Sequence, residues 1–218
     1  MTDIWMAAAT WGMTALAGAL AGWLANRAAD VLPGLGSAPD AVASGRCRRY
    51  RPLALAAAVM AAFLLGRARF VGQPLALAAF WFYATYFLAV LVIDLEHRRV
   101  LNIMLAPAAV VALGAAALRG WSAVGSALLG GIVGLALFLV VAFFSRGRMG
   151  AGDVKLASVI GLATGYPAVL SALLLGVLLG GVATAILLLA GRIGLKSYIA
   201  YAPYLALGTL VLLLIRPN

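Results

Sequence analysis

Six acidic residues occur in 218. Two of them, Asp94 and Asp153, stand at the ends of long apolar runs. A carboxylate there is costly to hold and is commonly functional. Two such groups brought together support amide hydrolysis. The ionised one takes a proton from water, while the protonated one polarises the scissile carbonyl. Carboxyls about 3 Å apart cannot both ionise, which drives their pKa values apart and keeps both roles available near neutral pH.

Asp153 follows two glycines in Gly150-Ala151-Gly152-Asp153-Val154-Lys155. Glycines at 150 and 152 permit a tight bend, or the close approach of another chain. Taken alone, the turn also reads as a loop ending in an N-cap aspartate, since Asp is a favoured cap. Asp94 closes the run before Leu95-Glu96-His97-Arg98-Arg99. Taken alone, it also reads as an interfacial turn residue paired with Arg98. Glu96 and His97 read as solvated loop residues. His97 has no second His or Cys at ligand spacing, so no metal site is expected. Asp3, Asp30 and Asp40 show no pattern that requires a partner. No Gly-x-Ser-x-Gly elbow occurs, and the single His limits the triads available to a serine mechanism. Cys47 reads as an incidental loop thiol.

The elements that must carry these acids are membrane helices. Hydrophobic residues make up 66% of the chain and charged residues 10%, with a mean hydropathy of +1.10. Soluble domains are far less apolar. An all-α, polytopic membrane protein of about eight transmembrane helices is expected, in a single domain over 1–218. The apolar segments are Ile4–Leu24, Pro52–Leu65, Pro74–Ile93, Leu101–Leu118, Ala123–Phe144, Val154–Thr164, Ala168–Ala190 and Ala202–Ile215. The second, sixth and eighth fall short of the ~20 residues a spanning helix needs. They are extended by flanking residues, re-entrant, or buried by neighbours. The first segment lacks a basic n-region and a convincing cleavage site, and reads as a retained helix.

Charge orients the chain. With the N-terminus outside, twelve of the 16 basic residues fall in cytoplasmic loops, and only Arg67, Arg69, Arg119 and Arg216 fall outside. The positive-inside rule selects that arrangement. It places Asp94 and Asp153 on one cytoplasmic face, although the acids were not used to obtain it. The net charge of +10 sits in short loops between apolar runs, which suits anionic lipid headgroups rather than nucleic acid. The polar loop over 25–52 carries a basic cluster, Arg46 to Arg51, assigned to headgroups. Glycines four apart, Gly18/Gly22, Gly130/Gly134 and Gly176/Gly180, are assigned to close helix packing.

These motifs together resemble the type IV prepilin peptidases, membrane aspartyl proteases of the Gly-x-Gly-Asp kind. Gly150 to Leu156, with Gly161 and Gly165 beyond, resembles the family's second catalytic motif. Asp94 to Asn102 resembles its first, in which Asp is followed eight residues later by Asp or Asn. Gly22, Asn26, Leu32 and Pro33 match an N-terminal signature in spacing. Arg49-Tyr50-Arg51-Pro52-Leu53 is similar to the Arg-Tyr-Pro-Leu opening the second helix, and Pro203 to Gly208 is similar to the last helix. The closing motif Ala200-Tyr201-Ala202-Pro203 departs from the family's Pro-Phe-Gly-Pro, and Val31 replaces an Arg.

The resemblance implies catalytic Asp94 and Asp153, supported by Gly150, Gly152 and Lys155. The reaction would be cleavage of a prepilin or pseudopilin leader at the cytoplasmic face of a bacterial inner membrane, in type IV pilus or type II secretion systems. Many members bind zinc through paired cysteines in the first cytoplasmic loop and methylate the cleaved pilin. Here that loop is a shortened vestige with Cys47 alone, so no cofactor, no metal and no N-methyltransferase activity are expected. Membrane lipids and the substrate are the expected partners; oligomeric state stays open. Two rival readings remain: a Gly-x-Gly-Asp protease of other transmembrane helices, and a transporter or assembly factor whose acids carry protons or cations.

Overall fold

A computed structural model describes residues 2–32, 45–97, 102–145, 149–191 and 201–215. Every regular element among them is helical apart from a single 3-10 residue: α1 (Thr2–Val31), α2 (Gly45–Arg69), α3 (Pro74–His97), α4 (Asn102–Arg119), α5 (Trp121–Phe144), α6 (Ala151–Thr164), α7 (Ala168–Leu189) and α8 (Ala202–Ile215). Helices satisfy each backbone polar group within the segment, as hydrocarbon surroundings demand. Four contain stretches long and apolar enough to cross a membrane: Arg51–Arg69, Pro74–Leu95, Trp121–Phe144 and Ala168–Leu189. By helix length and composition this is a multi-pass membrane protein.

Several boundaries differ from the hydropathy reading. α2 is 25 residues long, because the ladder continues through the basic residues on either side of its apolar stretch. α1 runs to Val31 and α2 begins at Gly45, so helix enters the 25–52 polar stretch from both ends. α3 continues through Glu96 and His97, whose backbone is helical rather than loop. α6 and α8 remain short, at 14 residues each.

The chain divides into two compact units, residues 1–97 and 98–218. In the first, α1 and α2 run antiparallel with almost no space between them. A methyl placed on Gly22 would lie 2.5 Å from the Ala56 Cα, and one on Gly18 would lie 2.7 Å from the Met60 Cα. The stacked rings of Phe63 and Trp81, 4.7 Å apart, tie α2 to α3, and Trp81 Nε1 donates to the Phe63 carbonyl at 3.1 Å. At one end of the α1/α2 pair the Arg67 guanidinium lies 5.2 Å from the Trp11 ring centre; near the other, Arg27 lies 4.7 Å from Trp23. Tryptophan and arginine together are at home at membrane–water boundaries.

The second unit is built on two glycine seams. Along the first, α5 and α6 run antiparallel backbone to backbone. A methyl on Gly161 would meet the Gly130 carbonyl oxygen at 2.0 Å, and one on Gly134 would meet that of Ala157 at 2.3 Å. Ser158 Oγ donates to the Gly131 carbonyl at 3.1 Å, and the Tyr166 N–H donates to the Ser126 carbonyl at 2.9 Å. Along the second, Gly176 of α7 faces Leu205 and Gly208 of α8, and Gly180 faces Tyr204. The glycine pairs expected to serve packing do so in all three places. Away from the seams α5 and α7 expose Leu129, Ile132, Val140, Leu174 and Ile186, the faces hydrocarbon would cover.

Candidate active site

Asp153 is the acid whose surroundings the structure defines most fully. Gly150 is the N-cap of α6, with φ −70° and ψ 139°. That is ordinary extended backbone, so the glycine does not serve a left-handed turn. Asp153 is therefore the third helical residue and not the cap. Its carboxylate reaches back to accept the Gly150 N–H, the acidic half of a capping box. It also accepts the N–H of Ala202, the first residue of α8. Two helix N-termini, with their unpaired donors and positive dipole ends, converge on one carboxylate.

Around it the packing is apolar. Asp153 is 7% exposed, and Leu156, Ala157, Ala202, Leu205 and Ala206 are completely buried. The α5/α6 seam pairs 126 with 165–166, 130 with 161 and 134 with 157. Continuing that four-residue step sets the buried Phe138 at the register position opposite Asp153. Burial penalises the charged form and raises the Asp153 carboxyl to about 6, while the bonds from Gly150 and Ala202 pull it down. A carboxyl raised in this way is suited to taking and giving a proton near neutral pH. Lys155, two positions on, is exposed. Gly152 continues the first turn of α6.

Asp94 belongs to the other unit, in the last turn of α3. It is 3% exposed, in a buried row with Phe87, Val90 and Ile93. Position 94 continues the face that carries Tyr86 and Val90 at four-residue steps. Gly150, Gly152, Asp153 and Lys155 thus share one turn, and Asp94 lies at the end of a helix in the first unit. Arg98 and the side chain of Asn102, also in the first motif, lie outside the described residues.

Two N-terminal fragments 25 residues apart also meet. Arg51 Nε donates to Asn26 Oδ1 at 2.8 Å, and the Arg51 guanidinium pairs with Asp30. Asp30 therefore has a partner that sequence reasoning did not supply, and Arg51 is removed from the basic cluster assigned to headgroups. The side chains of Arg46, Cys47, Arg48 and Arg49 lie outside the described residues. Ala202 was missed as well. A backbone N–H has no side-chain signature, and the only pointer was the similarity of Ala200 to Pro203 to a closing motif. Among the described residues no three His, Cys, Asp or Glu side chains gather as a metal-ligand set.

Residues 81–185 match the type IV leader peptidase family, a stretch that includes both acid motifs. The match leaves outside it the N-terminal and C-terminal similarities around Asn26, Arg51 and Pro203. Over 84 residues, 38% of the chain, there is 33% identity to the prepilin leader peptidase/N-methyltransferase of Bacillus subtilis (strain 168). The matched residues cover 34% of that relative, so the chain spans about a third of its length. No solved structure matches the chain.

Proposed function

We propose that the chain is a membrane aspartyl endopeptidase that removes the leader of prepilins or pseudopilins, with Asp94 and Asp153 as its dyad. The observation that carries this reading is a buried carboxylate at the head of α6, its pKa pushed up by burial, inside the stretch that matches the leader peptidase family. The basic-residue distribution supports an N-terminus outside and both acids at the cytoplasmic face of the bacterial plasma membrane.

The pair holds one proton. The ionised carboxylate takes a proton from water as the oxygen adds to the scissile carbonyl carbon, and the other carboxyl protonates the carbonyl oxygen. Collapse of the tetrahedral species returns a proton to the amide nitrogen. The C–N bond breaks, leaving a leader with a new carboxylate and a mature chain with a free amine. Gly150 and Gly152 carry no side chains beside the acid, which leaves room for an extended segment of substrate. An apolar substrate helix would lie among the enzyme's helices, with its basic leader in the cytoplasm and the cut site at the junction. The relative's name includes N-methyltransferase; with Cys47 as the only cysteine, that second activity is not proposed here.

Purified protein mixed with a prepilin-like substrate is expected to release the leader. Asp94→Asn and Asp153→Asn are each expected to reduce the rate by at least about 10³-fold while keeping the parent's melting behaviour near pH 4. Mass measurement of the new N-terminus with S-adenosylmethionine present should find it unmethylated. Undiminished cleavage by either variant would sink the dyad. Proton-coupled transport without cleavage would favour the transporter reading instead.

A further inference from the structure

We propose that the opening turn of α8 is a positioning element for Asp153, its Ala202 N–H fixing the carboxylate at the head of α6. The catalytic significance of this rests on the dyad reading above; the positioning itself does not. Three observations carry it. The Asp153 carboxylate accepts backbone N–H groups from its own cap, Gly150, and from Ala202. Ala202 is completely buried, and Leu205 and Ala206 beyond it are buried too, so the donor is shielded from competing water. Finally, α8 is pinned from behind, because Gly176 and Gly208 bring α7 and α8 into backbone contact. A donor on a clamped helix holds its direction, which is what orienting a carboxylate requires.

The remaining groups around α6 do not substitute for it. α5 and α7 carry no titratable side chain among the described residues, and α8 carries Tyr204 with Tyr201 just before it. The charge on α4, Arg119, precedes α5 and so lies toward the Tyr166 end of α6, opposite to Asp153. Lys155 is exposed on α6 itself. The causes that shift the Asp153 carboxyl are burial, which raises it, and the N–H groups of Gly150 and Ala202, which lower it.

The test deletes the donor and little else. In the full chain, L-lactic acid in place of Ala202 turns the amide into an ester, removing the N–H and keeping the methyl. Ala202→Pro removes the same donor by ordinary mutagenesis, at a first helical position where proline is tolerated. The readout is modification of Asp153 by dicyclohexylcarbodiimide, which adds to the protonated carboxyl, followed by mass spectrometry across a pH series. The parent midpoint is expected near pH 6. Loss of the donor should raise it by about one pH unit, a tenfold gain in proton affinity, as expected for a hydrogen bond to a charged group. The same ester at Leu207, which is partly exposed and further along α8, should leave the midpoint in place. An unmoved midpoint in the Ala202 ester overturns the proposal, whatever happens to cleavage. A raised midpoint in a protein that cleaves no prepilin upholds the positioning and sinks only the peptidase reading.

Discussion

At neutral pH, burial of the Asp153 carboxylate is expected to make the protein less stable than a neutral residue in its place would. Its folded-state pKa, about 6, lies above the ordinary carboxylate value of 3.8, so the folded state binds the proton more tightly. The associated stability is fully present below about pH 4 and is lost as pH rises through about 6. Two pKa units correspond to about 3 kcal/mol. Asp153→Asn carries no such titration. It is expected to melt above the parent at pH 7 to 8, with the difference vanishing near pH 4. Thermal melts in detergent across that range check this; a pH-independent difference would place the stabilisation elsewhere. The acidic half of the motif was legible because a lone carboxylate beside an apolar run is conspicuous. Its second N–H donor was not, since Ala202 is 49 positions away and contributes only backbone. Asp30 and Arg51 escaped notice for a related reason: pairing across two helices leaves no mark in either one's local sequence.

At the scale of elements, the head of α6 is placed by contact between backbones. Gly161→Ala would drive a methyl into the Gly130 carbonyl, against backbone that has no rotamer to yield. It is expected to destabilise the fold by several kcal/mol, in the range of severe overpacking. Gly125→Ala, on the same helix pair but with open space around it, is expected to be neutral or to stabilise by up to about 1 kcal/mol. Comparing the two in one unfolding assay separates the seam from glycine content as such. The seam was readable from four-residue glycine spacing. Helix ends were less so, because hydropathy marks where hydrocarbon begins and not where the hydrogen-bond ladder stops. Arg67 and Arg69 lie in the last turn of α2, although they lie beyond the apolar segment read from hydropathy.

For the whole molecule, alternation of apolar runs with short basic loops made the all-helical membrane class plain from composition. It did not tell which short segments are extended: α2 is, and α6 and α8 stay at 14 residues. The proposed orientation has a built-in reporter, since Cys47 is the only cysteine. In intact cells it is expected to resist a membrane-impermeant maleimide and to react once the cytoplasmic face is opened. Labelling from outside in intact cells would reverse the topology and move both acids to the opposite face.

The backbone contact between α5 and α6 has a mechanical consequence. Side chains that interdigitate can re-pack and let two helices slide, whereas main chain resting on main chain offers no such gear. Asp153 therefore rides on a two-helix beam, not on a single rod. Any motion that carries it toward a substrate or a partner carries α5 along, and Phe138 with it. The stiffness that keeps the carboxylate aligned also sets the smallest piece that can move.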